Sequence, residues 1–227
     1  MRLLVLNGSP RGPRSNTDLL LDAFLAGFAS EGGDVAARLH LVRPAHAAEA
    51  VRAFSEAEAV MLAFPLYGDA LPAPAVAFVQ RLAPLVGRAG NPALLFLVQN
   101  GFPEALHMRP VERWLEKLAR RLGSPHLGTI LKPGAEGMRE RPGFMSGPAA
   151  RRLETLGRTL ASEGRLDRRT VAGLARPERL GAGLLGPLRV ALTLRVAAWW
   201  WNRQLRAHGA LALRDARPHA LQAEAEA

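Results

Sequence analysis

The sequence predicts a doubly wound α/β fold built on a five-stranded parallel sheet in the order 2-1-3-4-5, with a C-terminal helical extension. Three observations predict it. Short continuous apolar runs recur along the first 131 residues, as strands covered on both faces require. Amphipathic stretches of helical length separate them, which is the alternation that right-handed crossovers produce. Turn-forming residues follow the first, third and fourth runs, where an open parallel sheet presents its ligand-binding loops.

Leu3 to Leu6 is the first such run, closed by Asn7-Gly8. Leu19, Leu20, Phe24, Leu25 and Phe28 then recur at helical spacing until Gly32-Gly33, so residues 16–31 read as a crossover helix. Asp34 to Leu41 returns as a strand. A helix near Ala47–Ser55, the strand Ala59 to Phe64 and a helix over Pro74–Val86 make the second cycle. The third has the strand Ala93 to Gln99 and a helix over Glu104 to Leu122, whose Val111, Leu115, Leu118 and Leu122 form one stripe. His126 to Leu131 is the fifth strand. Beyond it lie a Gly/Pro-rich loop from Gly134 to Gly147 and helical patterns at Pro148–Ser162, Arg168–Ala175 and Leu188–Ala207. The expected organisation is a sheet domain over residues 1–144, a helical extension packed on it over 145–213, and a flexible tail over 214–227.

Composition narrows the chemistry. At 227 residues with 48% apolar content, the chain has the material for one sizeable core. It holds no cysteine, which removes disulfides, thiol nucleophiles and thiolate metal ligands. The six histidines show no metal-binding spacing, and no Gly-x-Ser-x-Gly elbow is present. No metal site and no side-chain nucleophile is therefore expected. The apolar run after Met1-Arg2 is too short for a signal peptide and no later run reaches membrane-spanning length, so the expected location is cytoplasmic. The net charge of +10 comes wholly from residues 101–227, yet 28 of the 30 basic residues are Arg scattered without a compact run or a nucleic-acid motif. No nucleic-acid partner is expected. Trp199-Trp200-Trp201 cannot share one helix face, so one belongs in a core and another on a surface or interface. Core or dimer packing is preferred there over a membrane-surface helix, although Arg189, Arg195, Arg203 and Arg206 share a sector of the same helix.

The three loops carry the chemistry. Asn7-Gly8-Ser9-Pro10-Arg11-Gly12-Pro13-Arg14-Ser15-Asn16-Thr17 runs from a strand into a helix N-terminus, where free N–H groups and the helix dipole favour an anion. Ser9, Ser15 and Thr17 offer hydroxyl donors and Arg11 a charged one; helix capping alone needs only Ser15 or Asn16. The loop is neither a Walker A motif nor a Gly-x-Gly-x-x-Gly turn, since Gly8 and Gly12 are four apart. The second loop, Phe64-Pro65-Leu66-Tyr67-Gly68-Asp69-Ala70-Leu71-Pro72-Ala73-Pro74, is stiffened by proline and carries the chain's one tyrosine; Gly68 permits close approach to a ligand. The third, Gln99-Asn100-Gly101-Phe102-Pro103-Glu104, turns into a helix with amide side chains and N–H groups facing outward. A planar heteroaromatic ring between the second and third loops would use Asn100, with Phe102 or Tyr67 at its edge.

In order and spacing these three loops resemble those of the flavodoxin-like NAD(P)H-dependent FMN reductases. The resemblance covers residues 1 to about 137, and Arg176-Pro177 through Trp201, Asn202 and Gly209 is similar to the C-terminal segment of one subgroup. It implies that Ser9, Arg11, Ser15, Asn16 and Thr17 bind the FMN phosphate, and that Pro65, Leu66, Tyr67, Asn100 and Gly101 hold the isoalloxazine ring. It also implies NAD(P)H as electron donor, a small-molecule acceptor such as a quinone, azo or nitro compound, and a homodimer. Relatives of the iron–sulfur type carry a cysteine cluster that this chain lacks. Two other readings stay open: a flavodoxin-type electron carrier, against which the arginine excess argues, and a flavin-free binding or regulatory protein on the same fold.

Overall fold

The computed structural model describes residues 1–139, 147–181, 183 and 196–216. Its sheet has five parallel strands in the order β2-β1-β3-β4-β5, as the sequence predicts: β1 Arg2–Asn7, β2 Asp34–His40, β3 Ala59–Pro65, β4 Ala93–Gln99 and β5 His126–Lys132. The chain divides into two compact units, Met1–Arg179, which holds the sheet, and Leu180–Ala227.

The apolar runs are continuous because helices cover both faces of the sheet. Leu4, Leu6, Val60, Leu62, Phe64, Phe96, Val98 and Leu131 turn to one face, under α2 (Pro44–Phe54), α3 (Ala73–Arg81) and α4 (Arg109–Leu122). Leu3, Val5, Met61, Ala63, Leu95, Leu97 and Ile130 turn to the other, under α1 (Asn16–Ser30), α5 (Gly147–Glu163) and the end of α6 (Arg168–Leu174). This is the two-residue alternation of a strand, apolar at both phases.

Helices α1 and α5 cross at glycine. A Cβ on Gly27 would stand 1.9 Å from the Glu154 carbonyl oxygen, and one on Gly157 would stand 2.0 Å from the Phe24 oxygen. The two backbones touch there, and only residues without a side chain permit it.

Proline moves several helix boundaries from their sequence-based positions. α2 begins at Pro44 and α4 at Arg109-Pro110, where the missing N–H falls in a first turn that needs no partner. The residues Ala105–Met108, expected within that helix, form a separate 3₁₀ turn. α3 stops at Arg81, and Ala83–Leu85 around Pro84 is again 3₁₀. In the second unit, a helix α7 spans Val196–Ala207. The remainder of the expected helix, 188–195, lies outside the described residues, as do 140–146 of the Gly/Pro-rich loop and 217–227 of the tail. Trp199 and Trp201 are both exposed, and the side chain of Trp200 lies outside the described residues. No helix among the described residues is long and apolar enough to cross a membrane.

Candidate functional site

Strands β1, β3 and β4 are adjacent in the sheet, so the loops that leave their carboxyl ends meet. Ser9, Arg11, Ser15 and Asn16 of the first loop, Pro65, Leu66 and Tyr67 of the second, and Gln99, Asn100 and Gly101 of the third line one small cavity. A second cavity of about 310 Å³ shares Leu66, Asn100 and Gly101 with it and adds Gly68, Asp69 and Phe102. Eleven of the twelve residues expected at the site therefore line one or the other. Thr17 is the twelfth: it is fully buried, and its hydroxyl accepts from Gln99 Nε2 at 3.3 Å, behind the cavity wall.

The first loop is closed by its own polar groups. Asn7, at the end of β1, donates from Nδ2 to Asp18 Oδ1 and Ser15 Oγ, while its Oδ1 accepts from Ser9 N–H. Ser15 caps α1, its Oγ accepting from Asp18 N–H at 3.1 Å. Ser9 Oγ accepts from Arg11 N–H at 3.3 Å. Ser9 and Ser15 are each 1% exposed, so these two hydroxyls shape the loop, and the exposed Arg11 supplies its charge. Behind the loop, Asp18 also pairs with Arg38 at 2.6 Å and faces His40 at 3.8 Å.

The second loop is a two-residue hairpin turn. Tyr67 and Ala70 exchange backbone hydrogen bonds, and Gly68 and Asp69 both have positive φ, at 56° and 60°. Asp69 is thus a turn residue, and the Tyr67 side chain is left exposed at the rim. Phe102 is likewise exposed, its ring 4.9 Å from that of His107, which also meets Glu104 at 3.4 Å.

The third loop differs from expectation in one respect: its amides face inward. Gln99 reaches Thr17, and Asn100 is 3% exposed. Neither Asn100 Nδ2 nor Asn100 Oδ1 has a hydrogen-bond partner in the structure. A buried amide with both ends unmet is costly in a folded protein, about 1–3 kcal/mol for each polar group. This one lines both cavities.

Sequence reasoning passed over the segment after β5. Glu136 lines both cavities, and Arg139 Nη2 donates to the carbonyls of Pro13 and Ser15, each at 3.2 Å. Asn16 Nδ2 donates to Ala135 O at 2.7 Å, and Ala135 N–H to Asn100 O at 2.8 Å, so this segment joins the first loop to the third. Its one sequence signal is topological, since it too leaves the carboxyl end of a strand. Among the described residues no group of three or more acidic or imidazole side chains forms a metal site.

No protein-family model matches the chain, and no curated protein matches it significantly. Solved structures do match in three dimensions. An NAD(P)H:quinone oxidoreductase from Methanothermobacter marburgensis aligns with a TM-score of 0.56 over 70% of this chain and 96% of its own, at 16% identity. An azoreductase from Bacillus anthracis aligns with a TM-score of 0.56 over 70% and 99%, at 15% identity. An NADH:FMN oxidoreductase in its apo form aligns with a TM-score of 0.54 over 78% and 96%, at 19% identity. At these identities the likeness is one of architecture: the chain shares its flavodoxin-like fold with these oxidoreductases.

Proposed function

We propose that the chain is an FMN-dependent oxidoreductase that draws a hydride from NAD(P)H and delivers electrons to a small acceptor such as a quinone, azo or nitro compound. The observation that carries this reading is the buried, unpartnered amide of Asn100 in a cleft that also takes in the exposed Arg11 and Asn16, the first residue of α1. A ligand with a phosphate at one end and a flat hydrogen-bonding ring at the other answers both features. FMN has that form, and when bound it supplies hydride acceptance and electron transfer.

The residues divide that work in a definite way. Arg11 balances phosphate charge beside the N-terminus of α1, with Ser9, Ser15 and Asn16 shaping the seat and Thr17 supporting it from behind. Pro65, Leu66 and Gly68, stiffened by proline and the hairpin turn, would hold the ring together with Asn100 and Gly101, which would give it polar contacts. Tyr67 and Phe102 stand at the rim, where they limit access of water and acceptor. No side chain need act as an obligatory acid. In this reading residues 1–144 carry the cofactor, and the expected extension, 145–213, begins inside the same compact unit, Met1–Arg179.

The implied homodimer has structural support beside the cleft. Leu71, Val76, Val79, Val111 and Trp114 line an apolar groove of about 560 Å³, in which Val76 and Trp114 are exposed.

The test is an anaerobic one. Protein loaded with FMN is mixed with NADH and, separately, NADPH, and flavin absorbance is followed before and after a quinone is added. Bleaching by a nicotinamide and recovery with the quinone is the expected result. Flavin that neither nicotinamide reduces would make the protein a carrier or a binding module.

A further inference from the structure

The cleft contains a carboxylate that the FMN reading does not use. Glu136 stands where the two cavities meet, lining each of them together with Asn100 and Gly101. Its place is fixed from both sides, because its neighbour Ala135 is bonded to Asn16 and to Asn100, and Arg139 ties the same segment to Pro13 and Ser15. Gly101 leaves room for it: a Cβ on Gly101 would stand 3.4 Å from both the Cβ and Oε2 of Glu136. The exposed carboxylate therefore lies against the third loop and lines the same cavities as the unpartnered Asn100 amide. None of the ion pairs among the described residues includes it.

A hydride brings two electrons and one proton to an oxidised, neutral flavin ring, so reduction leaves one net negative charge until a second proton arrives. A negative charge in the same cleft raises the free energy of that state and leaves the neutral oxidised ring nearly untouched. We propose that Glu136 holds down the reduction potential of the ring bound in this cleft, so that the reduced cofactor is a strong donor toward its acceptor. The inference rests on the FMN reading and concerns the charge of the ring rather than its capture.

The test compares the full-length wild type with E136Q and E136K, each loaded with FMN and reduced anaerobically against an indicator dye. Oxidised FMN and oxidised riboflavin affinities are measured in parallel by fluorescence quenching. Removing the charge should raise the potential, so that the ratio of reduced to oxidised FMN dissociation constants falls about tenfold in E136Q and further in E136K. Affinity for oxidised riboflavin should change less than about twofold. A potential unchanged in both variants would overturn the proposal. So would a gain in affinity for FMN that riboflavin does not share, with the potential unmoved, because that pattern puts the carboxylate at the phosphate. A wild type that binds neither flavin would remove the cofactor reading itself, and this proposal with it.

Discussion

Asn7 Nδ2 donates to Asp18 Oδ1 at 2.9 Å, joining the last residue of β1 to the first turn of α1. The same side chain reaches Ser15 Oγ at 3.3 Å and accepts from Ser9 N–H at 2.9 Å. One fully buried amide thus closes the first loop over its whole length. Asn7→Ala leaves the buried Ser9 N–H unpartnered and one contact of Asp18 unmet. Denaturant unfolding should show a loss of about 1–3 kcal/mol, and FMN affinity should fall more than riboflavin affinity.

The two ends of the cleft should separate by mutation. Arg11→Ala removes charge from the phosphate end and should weaken FMN binding about tenfold or more, while riboflavin binding stays as it was. Asn100→Ala removes the amide at the ring end and should weaken both ligands alike. Fluorescence titrations with the two flavins distinguish these patterns; equal losses in Arg11→Ala would remove that residue from the phosphate seat.

His40 should make stability depend on pH. Burial lowers its pKa below the ordinary 6.5; Asp18 opposes this, while Arg38, Arg43 and His46 add to it. Unfolded His40 then binds a proton more readily than folded His40. Its contribution to stability is complete above 6.5 and is lost as pH falls through the lower, folded value. Unfolding midpoints measured from neutral pH down to about pH 5 should decline, and the decline should be smaller in His40→Asn.

The contact of α1 with α5 leaves no room for a methyl group. Gly27→Ala drives a Cβ into the Glu154 carbonyl, and Gly157→Ala drives one into that of Phe24. Either change should cost about 3 kcal/mol or more, read as a lowered thermal midpoint. A neutral result would mean that the helices are not in backbone contact.

The sheet was legible because strands buried on both faces need apolar residues at every position. Leu3–Leu6, Ala59–Phe64 and Ala93–Gln99 are such runs, and five strands alternating with helices fit the 2-1-3-4-5 order of a doubly wound sheet. The three loops were legible for the same reason, since the topology brings their strand ends together. The inward use of polar groups was not. Whether Ser15 donates to a ligand or caps a helix depends on Asn7, and the burial of Thr17 depends on Gln99, 82 residues away. Glu136 and Arg139 were missed because only the fold carries their segment back across the first loop, 124 residues from Arg139 to Ser15. The start of α4 was placed too early, at Glu104, because apolar periodicity continues through Pro110 where the hydrogen-bond ladder cannot, and that of α2 too late, at Ala47, because Pro44 serves as a first-turn residue.

If the three loops form one FMN seat, the protein takes up the flavin in solution. Titration of the purified protein into FMN, followed by flavin fluorescence at equilibrium, tests it most directly. A saturable change at one FMN per chain, weakened by Asn100→Ala, is the expected result. Flavin fluorescence unaffected by excess protein would contradict it, leaving the flavodoxin-like fold in place without its cofactor.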